Sequence, residues 1–151
     1  MKTEFMRTIL AAVLWAWFVL ALAGCMAVDE RILEPQAALE LIGESKGRPD
    51  FIILDVRTPG EFRRGFIEGA ILMDYYAPDF RERFAALDRD ATIFVYCHSG
   101  GRSSDVLRLA DKLGFENVFD LRGGIVAWAR QGLPLVAGRM NPMTLSALPS
   151  P

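Results

Sequence analysis

One stretch of the chain gathers most of the side chains that could do chemistry: Cys97-His98-Ser99-Gly100-Gly101-Arg102-Ser103-Ser104. A thiol opens it, two glycines sit inside, and Arg102 closes a six-residue loop. The thiolate is the nucleophile, so the question is what would ionise Cys97 at neutral pH. Consecutive glycines let the backbone curl tightly and turn its N–H groups inward. Such a nest of amides holds an anion, and a helix starting just beyond adds the positive end of its dipole. Arg102 contributes a full charge at the rim or base of this cradle. Every one of these influences favours the thiolate. The Cys97 pKa is therefore expected to fall from ~8.5 toward neutrality, each unit corresponding to ~1.4 kcal/mol of thiolate stabilisation. The bland alternative is a core cysteine that happens to end a strand. Glycines, arginine and helix start arriving together argue for the reactive thiol. His98 is the only histidine and Cys97 has no second thiol beside it, so no metal site and no cofactor are expected.

The loop needs elements to hold it. Thr92-Ile93-Phe94-Val95-Tyr96 is a continuous apolar run of strand length, and so is Phe51-Ile52-Ile53-Leu54; both look buried on two faces. A helix is expected from about Ser103 to Leu113, with Val106, Leu107, Leu109, Ala110 and Leu113 on its apolar face and Gly114 as its stop. Cys97 thus falls at the carboxyl edge of a sheet, where open α/β sheets bind ligands. Pro35 starts another helix through Ala37, Ala38, Leu39, Leu41 and Ile42, and Glu44 to Asp50 is a loop. Thr58-Pro59-Gly60-Glu61 reads as a capping box with proline at the first helical position. Gly69 to Met73 is a short strand, Pro78 to Leu87 a charged amphipathic helix, Val118-Phe119 a last strand, and Ile125 to Arg130 a final short helix. Strands alternating with helices imply an α/β class, a single domain with a mainly parallel sheet flanked by helices. Asp55 and Arg57 are expected to lock the sheet edge, with Glu61 as a partner; Trp128 is expected in the core. Tyr75-Tyr76 fits either a border of the site or a cover over the sheet.

The chain of 151 residues has length to spare beyond such a domain. Its apolar share of 52% is concentrated in Thr8 to Val28, a run without a charged side chain. Lys2 and Arg7 precede that run, and Leu22-Ala23-Gly24-Cys25 closes it, resembling the lipobox of bacterial lipoprotein signal peptides. The expected organisation is a signal peptide or membrane anchor over 1–24, a tether over 25–30, the folded domain over 31–136 and a flexible C-terminal tail over 137–151. Cys25 is the expected lipidation site. An uncleaved transmembrane helix is the alternative, since about 20 apolar residues span a bilayer. Either anchor places the domain on the outer side of the cytoplasmic membrane in the bacterial cell envelope, periplasmic in a Gram-negative cell. From Cys25 to Arg31 the reach is only about 20 Å at ~3.5 Å per residue, so the domain would sit close to the headgroups. With Cys25 lipidated, Cys97 has no partner for a disulfide. Loss of Lys2, Arg7 and Glu4 with the leader takes 17 basic and 19 acidic residues to 15 and 18, a net of −3. That balance, with no basic stripe, excludes a nucleic-acid binder.

Four ordered motifs then carry a family resemblance. The Cys97–Arg102 loop resembles the active-site pattern of rhodaneses. Leu54-Asp55-Val56-Arg57 with Glu61-Phe62, Gly65-Phe66-Ile67-Glu68-Gly69-Ala70, and Gly123-Gly124-Ile125-Val126-Ala127-Trp128 followed by Gly132-Leu133-Pro134 resemble that family's other signatures. The likeness runs from about Arg31 to Val136. Phe66 stands where the family usually has histidine and Leu72 where asparagine is common, departures that bear on local packing. The resemblance implies sulfane-sulfur transfer. Cys97 would attack the outer sulfur of thiosulfate, a polysulfide or a persulfide, and the loop would hold a Cys97 persulfide until a thiol or cyanide takes the sulfur. On this reading Cys97 and Arg102 are catalytic, while His98, Ser99, Gly100, Gly101 and Ser103 bind substrate. The implied partners are small sulfur-containing anions or persulfides and a thiol-bearing acceptor protein.

Two other functions compete. Cysteine-dependent phosphatases also place a cysteine-to-arginine loop at a helix start, but with five residues between the two. Here His98 to Gly101 makes four, a smaller anion cradle that suits sulfur better than a phosphate ester. A membrane-held sulfur carrier or sensor with slow turnover would keep Cys97 and Arg102 equally intact.

Overall fold

The computed structural model describes residues 29–137. The apolar segment before them, with Cys25 and its lipobox, and the tail from 138 onward lie outside the described residues. Among the described residues, no helix is long and apolar enough to cross a membrane.

Five parallel strands form one sheet: β1 (Ile32–Leu33), β2 (Phe51–Asp55), β3 (Ile71–Leu72), β4 (Thr92–Tyr96) and β5 (Val118–Leu121), in the order β1-β5-β4-β2-β3. The two apolar runs lie side by side at its centre, β2 and β4 pairing over their full length from Phe51↔Thr92 to Asp55↔Tyr96. Strand side chains alternate between faces, and the core divides accordingly. Leu54, Ile93 and Val95 point to one face, packed with Phe84 and Val106. Ile53, Phe94 and Tyr96 point to the other, packed with Ala38, Phe62 and Trp128. Helices α1 (Pro35–Glu44), α2 (Pro59–Phe62) and α5 (Gly124–Arg130) supply this second face, while α3 (Phe80–Ala85) and α4 (Gly101–Leu113) supply the first. This is the single α/β domain with flanking helices that strand–helix alternation predicts.

Several boundaries differ from the sequence expectation. β1 is a two-residue strand where none is expected, too short to carry any alternation; it forms because Asp120 and Arg122 donate backbone bonds to Arg31 and Leu33. The strand expected from Gly69 to Met73 shortens to Ile71–Leu72, since Gly69 has φ +83 and Ala70 turns back to bond Ile67. The helix expected from Pro78 to Leu87 spans only Phe80–Ala85, entered through Asp79 and left through Ala86. α4 begins at Gly101, two residues earlier than Ser103, so the site loop is itself the helix entry. The capping box of α2 and the left-handed stop at Gly114 (φ +77) are as expected. Where the family usually carries histidine, Phe66 stacks on Phe62 with ring centroids 4.0 Å apart, and its backbone forms an isolated antiparallel bridge with Val136.

Candidate active site

Cys97 directly follows β4 and is almost fully buried, at 1% exposure. Gly100, in the left-handed region at φ +102, turns the chain so that its N–H donates to Cys97 Sγ at 3.1 Å. The Ser103 hydroxyl lies 3.5 Å from the same sulfur. Burial pushes the Cys97 thiol up. Hydrogen bonds from the Ser103 hydroxyl and from the amides of Ser103, Gly100 and Ser99 outweigh it, and the net direction is downward. The expectation that every influence favours the thiolate is thus corrected: the loop overcomes an opposing desolvation rather than adding to a neutral setting.

For amides to point at the sulfur, the loop carbonyls must point away and find partners. They find them at the start of α5. Ile125 N–H donates to the Cys97 carbonyl at 2.9 Å and Val126 N–H to the His98 carbonyl at 3.1 Å. The approach is close enough to require glycine at Gly124, where φ is +60 and a Cβ would lie 2.6 Å from both carbonyl oxygens. Ser104 and Ser103 reach back to the Gly100 carbonyl at 2.8 and 3.1 Å. The Ser104 hydroxyl also lies 3.0 Å from Asp120 Oδ2. Asp120 itself is buried beneath the loop, and its Oδ1 has no hydrogen-bond partner. Burial pushes its carboxyl upward, only partly offset by the hydroxyls of Ser103 and Ser104.

Arg102 closes the loop as a paired charge. It is not a free charge: Nη1 and Nη2 donate to Glu61 Oε2 and Oε1 at 2.9 and 2.7 Å, a fork-to-fork pair. Glu61 Oε2 also accepts from the Thr58 N–H and hydroxyl through the capping box. The Arg102 guanidinium, followed by desolvation acting in the opposite sense and by Thr58, leaves the Glu61 carboxyl far below the usual carboxylate range. The Tyr76 ring, exposed, lies 5.6 Å from the Arg102 guanidinium carbon, and His98 Nδ1 is 4.0 Å from Glu61 Oε1. His98 and Ser99 are exposed at the mouth. The expected link between Arg57 and the Glu61 carboxylate is also corrected. Arg57 pairs with Asp55 and reaches only the backbone carbonyls of Gly65 and Glu61. Of the two tyrosines, Tyr76 borders the site; Tyr75 donates to Asp105 and packs on Phe80. Trp128 lies in the core, its Nε1 donating to the Pro134 carbonyl.

A cavity of about 530 Å³ lined by Leu39, Ile42, Phe51, Ile53, Ile67 and Trp128 includes no residue of the loop.

The model of one protein family, the rhodanese-like domain, matches residues 34–131. The chain belongs to the rhodanese-like family. A sulfurtransferase of Allochromatium vinosum is 40% identical over 88 residues, covering 58% of this chain and 80% of that protein. The chloroplastic thiosulfate sulfurtransferase 16 of Arabidopsis thaliana is 40% identical over 94 residues, covering 56% of this chain and 78% of that protein. Among solved structures, a rhodanese-related protein from Thermoplasma volcanium superposes with a TM-score of 0.61 at 30% identity, covering 72% of this chain and 99% of that one. In this rhodanese-like domain, sequence reasoning assembled Cys97, Arg102, Ser103 and the loop glycines as a site. It left Tyr76 open between border and cover, and missed Glu61, Ser104 and Asp120 as neighbours of that site and Gly124 with the α5 amides as its support. The capping-box glutamate and the double glycine were visible signals; what they faced was not.

Proposed function

We propose that this protein is a sulfurtransferase that moves a sulfane sulfur through a Cys97 persulfide. The observation that carries the reading is the buried Cys97 sulfur, met by the Gly100 amide at 3.1 Å and the Ser103 hydroxyl at 3.5 Å in a loop whose carbonyls are held elsewhere. The Cys97 thiolate attacks the outer sulfur of the donor, forming the Cys97 S–S bond. The donor's own bond to that sulfur breaks, and its electron pair leaves as sulfite from thiosulfate or as a thiolate from a persulfide. The loop donors then take the charge on the outer sulfur. A thiolate or cyanide attacks that outer sulfur, departs as a persulfide or thiocyanate, and returns the Cys97 thiolate. His98 and Ser99 line the entrance, Gly100, Gly101 and Ser103 hold the anion, and Arg102 orients the donor. The names of the two sulfurtransferase relatives support this chemistry.

The test is intact-mass measurement after exposure to a donor. The wild-type domain is expected to gain one sulfur atom and lose it to cyanide, and Cys97→Ser neither gains sulfur nor turns over. A Cys97→Ser protein with full sulfurtransfer refutes the mechanism. Aryl-phosphate hydrolysis without any sulfur adduct points instead to a phosphatase, and adduct without appreciable turnover to a carrier.

The lipobox-like Leu22-Ala23-Gly24-Cys25 supports an envelope address, with the mature chain beginning at acylated Cys25. Cys25→Ala should leave unprocessed precursor; a wild-type protein that retains Met1 favours a transmembrane anchor.

A further inference from the structure

We propose that Glu61 sets the donor class, so that the site favours sulfur donors with a single negative charge, such as persulfides, hydropolysulfides and thiosulfonates, over dianionic thiosulfate. The inference rests on the sulfurtransfer reading and narrows it.

The loop from Cys97 to Arg102 carries one full positive charge, Arg102. Both terminal nitrogens of its guanidinium are committed to the two oxygens of Glu61, and the Tyr76 ring lies beside it. A dianion approaching Cys97 therefore meets a carboxylate together with the guanidinium, and the pair presents no net charge. His98 Nδ1 faces the same carboxylate at 4.0 Å. The nucleophile is itself an anion when it attacks. Cys97 and Glu61 against one guanidinium leave the site with one net negative charge, which repels a dianion about twice as strongly as a monoanion. Glu61 is held in place from its other side by the Thr58 amide and hydroxyl, so it does not swing away to release Arg102. The chemistry balances identically for the two donor classes: thiosulfate leaves as sulfite, and a thiosulfonate leaves as a sulfinate with one charge fewer.

Thiosulfate and the methanethiosulfonate anion make a matched pair, since both carry the transferred sulfur on a sulfonyl centre and differ by one charge. The experiment measures kcat/KM for each with the wild-type protein and with Glu61→Gln, which keeps an amide oxygen for the capping box. Freeing Arg102 should raise the thiosulfate-to-thiosulfonate ratio about three- to tenfold, chiefly through KM for thiosulfate. Any change in Cys97 reactivity cancels in that ratio. A second measurement needs no variant: wild-type kcat/KM for thiosulfate should rise with ionic strength, as screening weakens the repulsion, and should be nearly flat in Glu61→Gln, where Cys97 and Arg102 balance. Sulfur adducts from both donors with an unchanged ratio, or a steep loss of thiosulfate efficiency with salt in the wild type, overturn the role of Glu61 and leave sulfurtransfer standing. Absence of an adduct from either donor overturns sulfurtransfer itself, and the specificity with it.

Discussion

Two arginine–carboxylate pairs in this domain do different work. Arg57 grips Asp55 through Nε and Nη2 at 2.9 and 2.6 Å, and the side chains are 4% and 0% exposed. Arg102 grips Glu61 end-on through Nη1 and Nη2, and those side chains are 15% and 21% exposed. The first pair is surrounded by structure: Arg57 also donates to the Gly65 carbonyl, and its guanidinium lies 5.6 Å from the ring of Tyr96, whose hydroxyl accepts from Ile67 N–H. The second opens on the mouth of the site beside Tyr76 and His98. Both are bidentate arginine–carboxylate pairs. Burial and the number of fixed partners decide that one pair is locked inside the fold and the other opens on the candidate site.

That contrast can be broken by removing one arginine at a time. Arg57→Ala leaves the Asp55 carboxylate buried and unpaired, and should cost about 3–5 kcal/mol in denaturant unfolding. A loss below about 1 kcal/mol would place Arg57 with the rim pair. Gly124→Ala should come next, because its Cβ would meet the Cys97 and His98 carbonyls at 2.6 Å. Displacing the loop should cost about 1–3 kcal/mol and raise the alkylation pKa of Cys97, which a purely structural glycine would leave alone. Arg102→Ala should change stability by only about 0–1 kcal/mol. Its effect should appear in kcat/KM, a fall of roughly 10- to 100-fold from loss of one charge-assisted contact, with the sulfur adduct still forming at high donor concentration.

The smallest effect concerns Asp120, which has burial without a partner for Oδ1. Its folded-state pKa is raised, so the native form binds its proton more tightly than the unfolded chain does. The associated stability is complete below the unfolded value of ~3.9 and is lost as pH rises through the folded one. Asp120→Asn should therefore raise Tm at neutral pH by a few degrees, ~1 kcal/mol being worth roughly 4–8 °C in a small domain, and the gain should vanish near pH 3. An equal gain at both pH values would show that ionisation is not its source. The rim pair has the opposite sign. Glu61 is lowered, so its contribution is present above its unfolded value and fades as pH falls below it.

The limits of the sequence reading follow the same division. Continuous apolar runs such as Thr92 to Tyr96, a capping box over four residues and a glycine at a helix stop are local patterns, and their elements formed where expected. The site loop was legible for the same reason, its donors lying within six residues of Cys97. Glu61 and Arg102 are 41 positions apart, and nothing near Arg102 announces its partner. Proximity in the chain instead suggested Arg57, which Asp55 captures from two residues away. Asp120 lies just past the expected strand Val118-Phe119, and nothing local announces that the α4 entry covers it. Gly124 was readable as part of a motif; its reason, a carbonyl in a distant loop, was not.

The bonds from Ile125 and Val126 to the carbonyls of Cys97 and His98 also tie the motion of the nucleophile to a remote part of the chain. The active loop cannot lift from the sheet without exposing those two amides to solvent. Their hydrogen-exchange rates are therefore a clock for loop opening, readable without any probe on the sulfur. A loop that stays shut through a turnover keeps both protons, and one that opens to admit a bulky acceptor surrenders them together.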